Sequence, residues 1–238
     1  MKIQEFKFIY KGEQITLTMN LDNLNDPRTQ MILRTKKNSK ILEFGCNTGF
    51  CSSVLAERGC DVTGVDIDPE AADLARKYCR KVIIADVEND NFEGQLMNDK
   101  FDHVILGGFI EHLKAPDKFL LRAGRFLKES GSIILYVPNI AHWSVRMELL
   151  KGCFDYQATG LLDNTHLIHF TKKTLFNMID KCGYDIVHYD SVRIPVLEDD
   201  IHKDLLCIGL NCDKELIEYF KKTEADVYIH VAEAKLRK

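Results

Sequence analysis

Glu43 and Asp66 are the two side chains whose positions speak most directly of chemistry. Glu43 ends the apolar run Ile41-Leu42-Glu43-Phe44, and the turn Gly45-Cys46-Asn47-Thr48-Gly49 follows at once. Asp66 ends a second apolar run, Val62-Thr63-Gly64-Val65, and lies 21 positions after Gly45. Glycines let a backbone approach a ligand closely, and a helix start offers amide N–H groups. A carboxylate at the end of the next strand is placed to accept both hydroxyls of a ribose. The pair therefore predicts a site for a nucleoside-bearing cofactor. The glycines stand as Gly45-x-x-x-Gly49 rather than G-x-G-x-x-G, and no basic residue lies in the turn, which disfavours a pyrophosphate. An acidic strand end suits a cationic or zwitterionic group instead.

A second group of candidates lies further along. Phe101-Asp102-His103-Val104-Ile105-Leu106-Gly107-Gly108 reads as a strand with its exit, and Glu111-His112-Leu113 comes directly after. Residues 139–170 are rich in Trp, Tyr, His, Asp and Asn. His166, then His142, then His169 are the candidate bases, and Trp143, Tyr156 and Asp163 are candidates to stack on or hydrogen-bond an acceptor. Each histidine has a plain alternative, a hydrogen bond that fixes its loop. Trp143 has one too, as an anchor packing the insertion onto the sheet.

These residues need elements to position them. From Lys40 on, short apolar runs alternate with helical patterns: a strand 41–44, a helix 50–58 stopped by Gly59, and a strand 61–65. Asp68 caps and Pro69 opens a helix running to about Arg80. Strands 82–85 and 101–106, a helix 117–128 and a strand 132–137 follow. This is the signature of parallel βαβ units, whose ligands bind beyond the carboxyl ends of the strands. Later, Thr171 and Gly183 bracket a helix over 172–181, and strands 184–192 and 227–234 flank a helix near 213–223. In the first 39 residues, Lys7–Tyr10 and Gln14–Thr18 flank Lys11-Gly12-Glu13 and predict a hairpin.

The motifs together resemble the class I S-adenosylmethionine-dependent methyltransferases. Glu43, Gly45, Cys46, Thr48 and Gly49 match the first motif of that family, E/D-x-G-C-G-T-G, and Asn47 replaces its second glycine. Residues 101–113 match its fourth motif, F-D-x-V-x-x-x-x-V-L-E-H-L, with Gly107-Gly108 where many relatives carry a polar pair. The stretch after Pro138 resembles a branch often found with bacterial polysaccharide and glycosyltransferase genes, and differs from the ubiquinone-methyltransferase branch. The resemblance implies an α/β, Rossmann-like, mostly parallel seven-stranded sheet with an antiparallel final strand. It covers residues 40–238, the methyltransferase domain, with residues 139–170 as an acceptor-side insertion; residues 1–39 are an additional extension of hairpin and helix, with lid and dimer contact as its two alternatives.

The same resemblance places S-adenosyl-L-methionine against Glu43, Gly45, Cys46, Asn47, Thr48 and Gly49. It gives the ribose to Asp66, the adenine to Ile67, Asp86 and Val87, and the methyl and amino-acid end to Leu106, Gly107 and His112. No metal site is expected. The implied reaction is methyl transfer to a hydroxyl of a saccharide or related small metabolite. The alternatives are N-methylation of an amino sugar or amine, and a cofactor-binding regulator without turnover.

Composition is consistent with an enzyme of this size. The chain has 238 residues, 45% of them hydrophobic, and a net charge of −4, which argues against a nucleic-acid-coating surface. Eight cysteines without a C-x-x-C pair read as reduced thiols of a cytoplasmic protein, and no run has membrane-spanning length.

Overall fold

The computed structural model describes residues 3–96, 99–195, 198–211 and 213–237. The chain opens with a hairpin, β1 (Ile3–Tyr10) and β2 (Glu13–Asn20), paired Tyr10 to Glu13. Its two-residue turn, Lys11-Gly12, has φ of 50° and 80°, the left-handed pair that matches the twist of a tight hairpin. Helix α1 (Pro27–Arg34) follows, with Asp26 accepting from the Arg28 amide as its cap.

The main unit then alternates β3 (Lys40–Phe44), α2 (Phe50–Glu57), β4 (Asp61–Asp66), α3 (Pro69–Ala75), β5 (Lys81–Ile84) and α4 (Glu93–Leu96). It continues with β6 (Phe101–Gly107), a 3-10 turn at Ile110–His112, α5 (Pro116–Gly124), β7 (Leu127–Pro138) and α6 (Trp143–Leu150). The last elements are α7 (Lys172–Lys181), β8 (Tyr184–Arg193), α8 (Glu198–Cys207), α9 (Lys214–Lys222) and β9 (Val227–Leu236).

The seven strands order as β5-β4-β3-β6-β7-β9-β8. Only β9 runs against the others, since it is antiparallel to both β7 and β8. The expected α/β sheet with its antiparallel final strand is therefore present. The strand order reverses beside β3, and a crevice opens there at the carboxyl ends of β3 and β6. One face of the sheet packs under α4, α5 and α7 through Leu96, Phe119, Leu120, Leu175 and Ile179. The other packs under α1, α2 and α3 through Met31, Ile32, Val54, Leu55, Ala72 and Ala75.

Three expectations about element limits are corrected. Helix α3 stops at Ala75 rather than near Arg80, because the amides of Tyr78 and Cys79 both turn back to the Ala75 carbonyl. Helix α5 stops at Gly124 rather than Lys128, and residues from Leu127 on already belong to β7. A Cβ at Gly124 would collide with the Tyr184 hydroxyl, so the helix ends where β8 crosses it. Helices α4, α6 and α8 lie where the sequence assigned no element. Seven described cysteines are free thiols, and Cys212 lies outside the described residues. Among the described residues no helix is long and apolar enough to cross a membrane.

Candidate functional site

The turn between β3 and α2 is held by its own backbone. The amides of Gly45 and Cys46 both donate to the Val65 carbonyl, at 2.8 and 3.3 Å. The Asn47 amide donates to Asp66 Oδ2 at 2.7 Å, and Asn47 Oδ1 accepts from the Thr48 amide. Asn47 takes φ of 47°, so the residue that replaces the motif's second glycine occupies a left-handed position that Asn tolerates. The glycines answer to the protein as much as to any ligand. A Cβ at Gly45 would lie 2.8 Å from the Phe109 ring, and one at Gly49 would lie 2.8 Å from Ala75 Cα. The first three turn amides are thus spent inside the fold, unlike the open donors that the sequence suggested.

Glu43 is buried, accepts from the Ser52 hydroxyl, and is pushed up to about 7 chiefly by loss of solvent. Asp66 Oδ1 accepts from the Asp68 amide at 3.0 Å. Each Asp66 oxygen therefore carries one backbone donor and keeps a second lone pair.

Two cavities meet over this turn. One, of about 440 Å³, is lined by Asp66, Ile67, Asp86, Val87, His112 and Leu167 among others. The second, of about 400 Å³, runs past Glu43, Cys46, Thr48, Gly107 and Tyr136 and is roofed by Phe8, Tyr10, Ile15 and Leu17 of the hairpin. Both are lined by Gly45, Asn47 and Gly108. The Tyr10 hydroxyl donates to Asp68 at 2.7 Å, and the Lys11 amide donates to Glu70, tying the hairpin tip to the start of α3. Asp86 spends its oxygens on its own turn, accepting from the Glu88 amide and the Asn89 side chain, which hold its carboxyl below the usual range. Leu106 is buried in the core and lines neither cavity, so its side chain is a packing group.

The structure divides the acceptor-side candidates. His166 lies against His112, ring centres 4.9 Å apart, and His169 is 6.3 Å from His166. Burial lowers both His166 and His169 below the usual histidine range, with the His112 charge adding to the effect on His166. The insertion is stitched to the fourth motif: the Leu167 and Ile168 amides donate to the Glu111 carbonyl, and His112 Nδ1 lies 3.2 Å from the Thr165 carbonyl oxygen. Tyr156 stacks on His169 and is largely exposed. Asp163 accepts from both the amide and the hydroxyl of Thr165, which hold its carboxyl low and shape the loop that carries His166.

His142 is elsewhere. It caps α6, meets Ser144 through Nδ1, packs edge-on to Tyr228 and is pushed down to about 4 by burial. That is the loop-fixing alternative. Trp143 packs beside Met147, Ile201 and Leu205 and also lines a separate cavity of about 520 Å³ with Gln157, Asp204 and Tyr228. Sequence reading passed over Glu111 and Tyr136 as site residues, and it offered a lid for residues 1–39 without naming the hairpin side chains that line the cavity. Glu111 was signalled by the Glu-His-Leu triplet; the hairpin's role depends on a long-range packing that no local pattern carries. Glu111 is 2% exposed, Oε2 has no hydrogen-bond partner among the described residues, and burial pushes its carboxyl up to about 8.

Comparison with known proteins bears on this arrangement. A family model described as a methyltransferase domain matches residues 19–189. The ubiquinone biosynthesis O-methyltransferase of Pasteurella multocida is 25% identical over 173 residues, covering 63% of this chain and 69% of that protein, so the likeness is to a ubiquinone enzyme where a saccharide-associated branch was expected. Among solved structures, an S-adenosylmethionine-dependent methyltransferase from Archaeoglobus fulgidus superposes with a TM-score of 0.62 at 18% identity, covering 91% of this chain and 94% of the other. The 1,6-didemethyltoxoflavin-N1-methyltransferase of Burkholderia thailandensis, solved with S-adenosylhomocysteine, gives 0.56 at 16% identity, covering 92% and 82%. These two likenesses concern the fold.

Proposed function

The chain belongs to the S-adenosylmethionine-dependent methyltransferases, and we propose that it moves the methyl group to a hydroxyl of a small, ring-bearing molecule. The observation that carries this reading is the joined cleft over Gly45, Asn47 and Gly108. One arm suits a nucleoside, with lone pairs of Asp66 for the ribose hydroxyls and Ile67 for the base. The other suits an amino-acid tail beside Glu43 and Thr48. Bound there, the cofactor supplies an electrophilic methyl group on a sulfonium.

The chain's own residues then position and deprotonate. Gly107 and Gly108 carry no side chain beneath Tyr136, and the hairpin roofs the second of the two cavities. Orientation of this kind can lower a barrier by ~7–11 kcal/mol. In this reading His166, which burial holds below the usual histidine range, takes the hydroxyl proton, a step worth roughly 10²–10⁴-fold. His169 and Tyr156 lie behind it.

Two acceptor classes follow from different observations. The roof and floor of the second cavity are apolar and aromatic (Phe8, Ile15, Leu17, Met31, Phe50), and a relative is named for O-methylation in ubiquinone biosynthesis. Both favour a hydroxyl on an apolar ring. The cavity beside Trp143, with Gln157, Asp204 and Tyr228, keeps a saccharide acceptor as the second reading. Calorimetric titration with S-adenosylmethionine and S-adenosylhomocysteine, followed by a methyl-transfer screen of phenols and nucleotide sugars, tests both. Absence of cofactor binding by the intact protein would sink the proposal.

A further inference from the structure

No motif of the sequence predicts a metal, and Gly107-Gly108 removes a polar pair that could have served one. The folded chain supplies another set of donors. A Glu111 oxygen and ring nitrogens of His112 and His166 all lie within 4.8 Å of one another. Two of the three come from the fourth motif and the third from the insertion, so the set exists only once residues 165–168 have docked on the Glu111 carbonyl.

Two further observations point to a ligand. Glu111 is 2% exposed, yet its Oε2 has no hydrogen-bond partner among the described residues. A buried carboxyl oxygen left unpaired loses its solvation without return, so folds rarely keep one without a use. The second is the contact of His112 Nδ1 with the Thr165 carbonyl oxygen at 3.2 Å. A carbonyl can only accept, so Nδ1 carries the proton and Nε2 presents a lone pair. This is the outer contact by which metal-binding histidines are usually oriented.

We infer that Glu111, His112 and His166 form a binding site for one divalent cation of the zinc class. One carboxylate oxygen and two imidazole nitrogens match the donors of three-ligand zinc sites, which keep a further position open. At bond lengths of about 2.1 Å, tetrahedral ligand atoms sit roughly 3.4 Å apart, so modest side-chain adjustment closes the set. Of the three, His112 lines the cofactor cleft. Resting on the methyl-transfer reading, the inference changes His166 from base to ligand: with the ion bound, an acceptor hydroxyl on it loses its proton to solvent more readily. Its oxygen then bonds to the methyl carbon as the carbon–sulfur bond breaks, and the electron pair stays on sulfur.

The test is calorimetric titration of the metal-stripped full chain with Zn²⁺, and with Mg²⁺ for comparison. The variants are Glu111→Gln and His166→Ala, with the exposed His188→Ala as control. The expected result is one equivalent of Zn²⁺, bound at least tenfold more weakly by both variants and normally by the control, with Mg²⁺ far weaker throughout. No Zn²⁺ binding by the intact protein, or equal binding by all forms, overturns the site; equal binding would put the ion on cysteines. Circular dichroism shows whether each variant is folded, and S-adenosylhomocysteine titration of the same samples reads the cofactor site separately. Loss of cofactor binding with Zn²⁺ retained would defeat the methyl-transfer reading and leave the metal site standing.

Discussion

The Asn47 amide donates to Asp66 Oδ2 at 2.7 Å, so one carboxylate both braces the turn after β3 and faces the cavity proposed for a nucleoside. Asp66→Ala should therefore do two things at once. Two charge-assisted contacts to a ribose would be lost, weakening S-adenosylhomocysteine by ~3 kcal/mol, about a hundredfold. The turn amide would also lose its acceptor. Calorimetry on Asp66→Ala and Asp66→Asn checks this, and equal affinity in all three proteins would rule out Asp66 as the ribose ligand.

Gly49 admits no side chain. Its φ is 81°, and a Cβ there would stand 2.8 Å from Ala75 Cα, so Gly49→Ala strains the turn and pushes α2 from α3. The expected loss is ~1–3 kcal/mol of stability by urea unfolding. Asn47→Gly, by contrast, should stay within about 1 kcal/mol of the parent, because its left-handed φ suits glycine better.

Glu43 makes stability fall as pH rises. Its folded value, about 7, stands above its ordinary 4.5 because of burial. Between those values the folded state holds more protons than the unfolded one. The contribution is thus full below pH 4.5 and lost as pH passes 7. A shift of this size corresponds to ~3 kcal/mol. Glu43→Gln, which still accepts from Ser52, should flatten that part of the slope; urea unfolding at several pH values between 4.5 and 8 measures the difference.

His166→Ala should lower methyl transfer to a hydroxyl at least about a hundredfold while cofactor affinity holds. His142→Ala should act on α6 instead, because His142 caps that helix and is packed against Tyr228. Turnover by His166→Ala within threefold of the parent would remove His166 from the chemistry.

Tyr10→Phe cuts the bond between the hairpin tip and Asp68 without changing the ring that lines the cavity. Hydrogen exchange in residues 3–20 should quicken, with a smaller effect on the central sheet. Unchanged exchange would mean that the packing of Phe6 on Phe50 and the Lys11 contacts to Glu70 and Asp68 hold the hairpin without the Tyr10 hydroxyl.

Much of this was legible because it is written locally. The turn at Gly45–Gly49, the acidic strand ends and the capped starts of α3 and α7 each occupy a few consecutive residues. The Lys11-Gly12 turn is equally local. What escaped depends on distant partners. Residues 127–130 are polar enough to read as a helix end, and they become strand because Phe101 and Leu127 pair across the sheet. Helix α8 carries Ile201 and Leu205 four apart, but their burial depends on Phe220 and Met147 arriving from other elements. The histidines were equivalent as residue types; only packing separates His142, under Tyr228, from His166, beside His112.

The two cavities above the turn share Gly45, Asn47 and Gly108 as common floor. Adenosine and methionine, offered as separate molecules, should then each find a berth and sit side by side without competing. Their joint hold would still fall far short of the intact cofactor's, since a covalent link makes the second contact intramolecular and raises its effective concentration to the millimolar range or beyond. The sulfonium that joins them is thus a tether as well as a methyl donor, and inhibitors assembled by linking two weak fragments across Gly108 would exploit the same chelate gain.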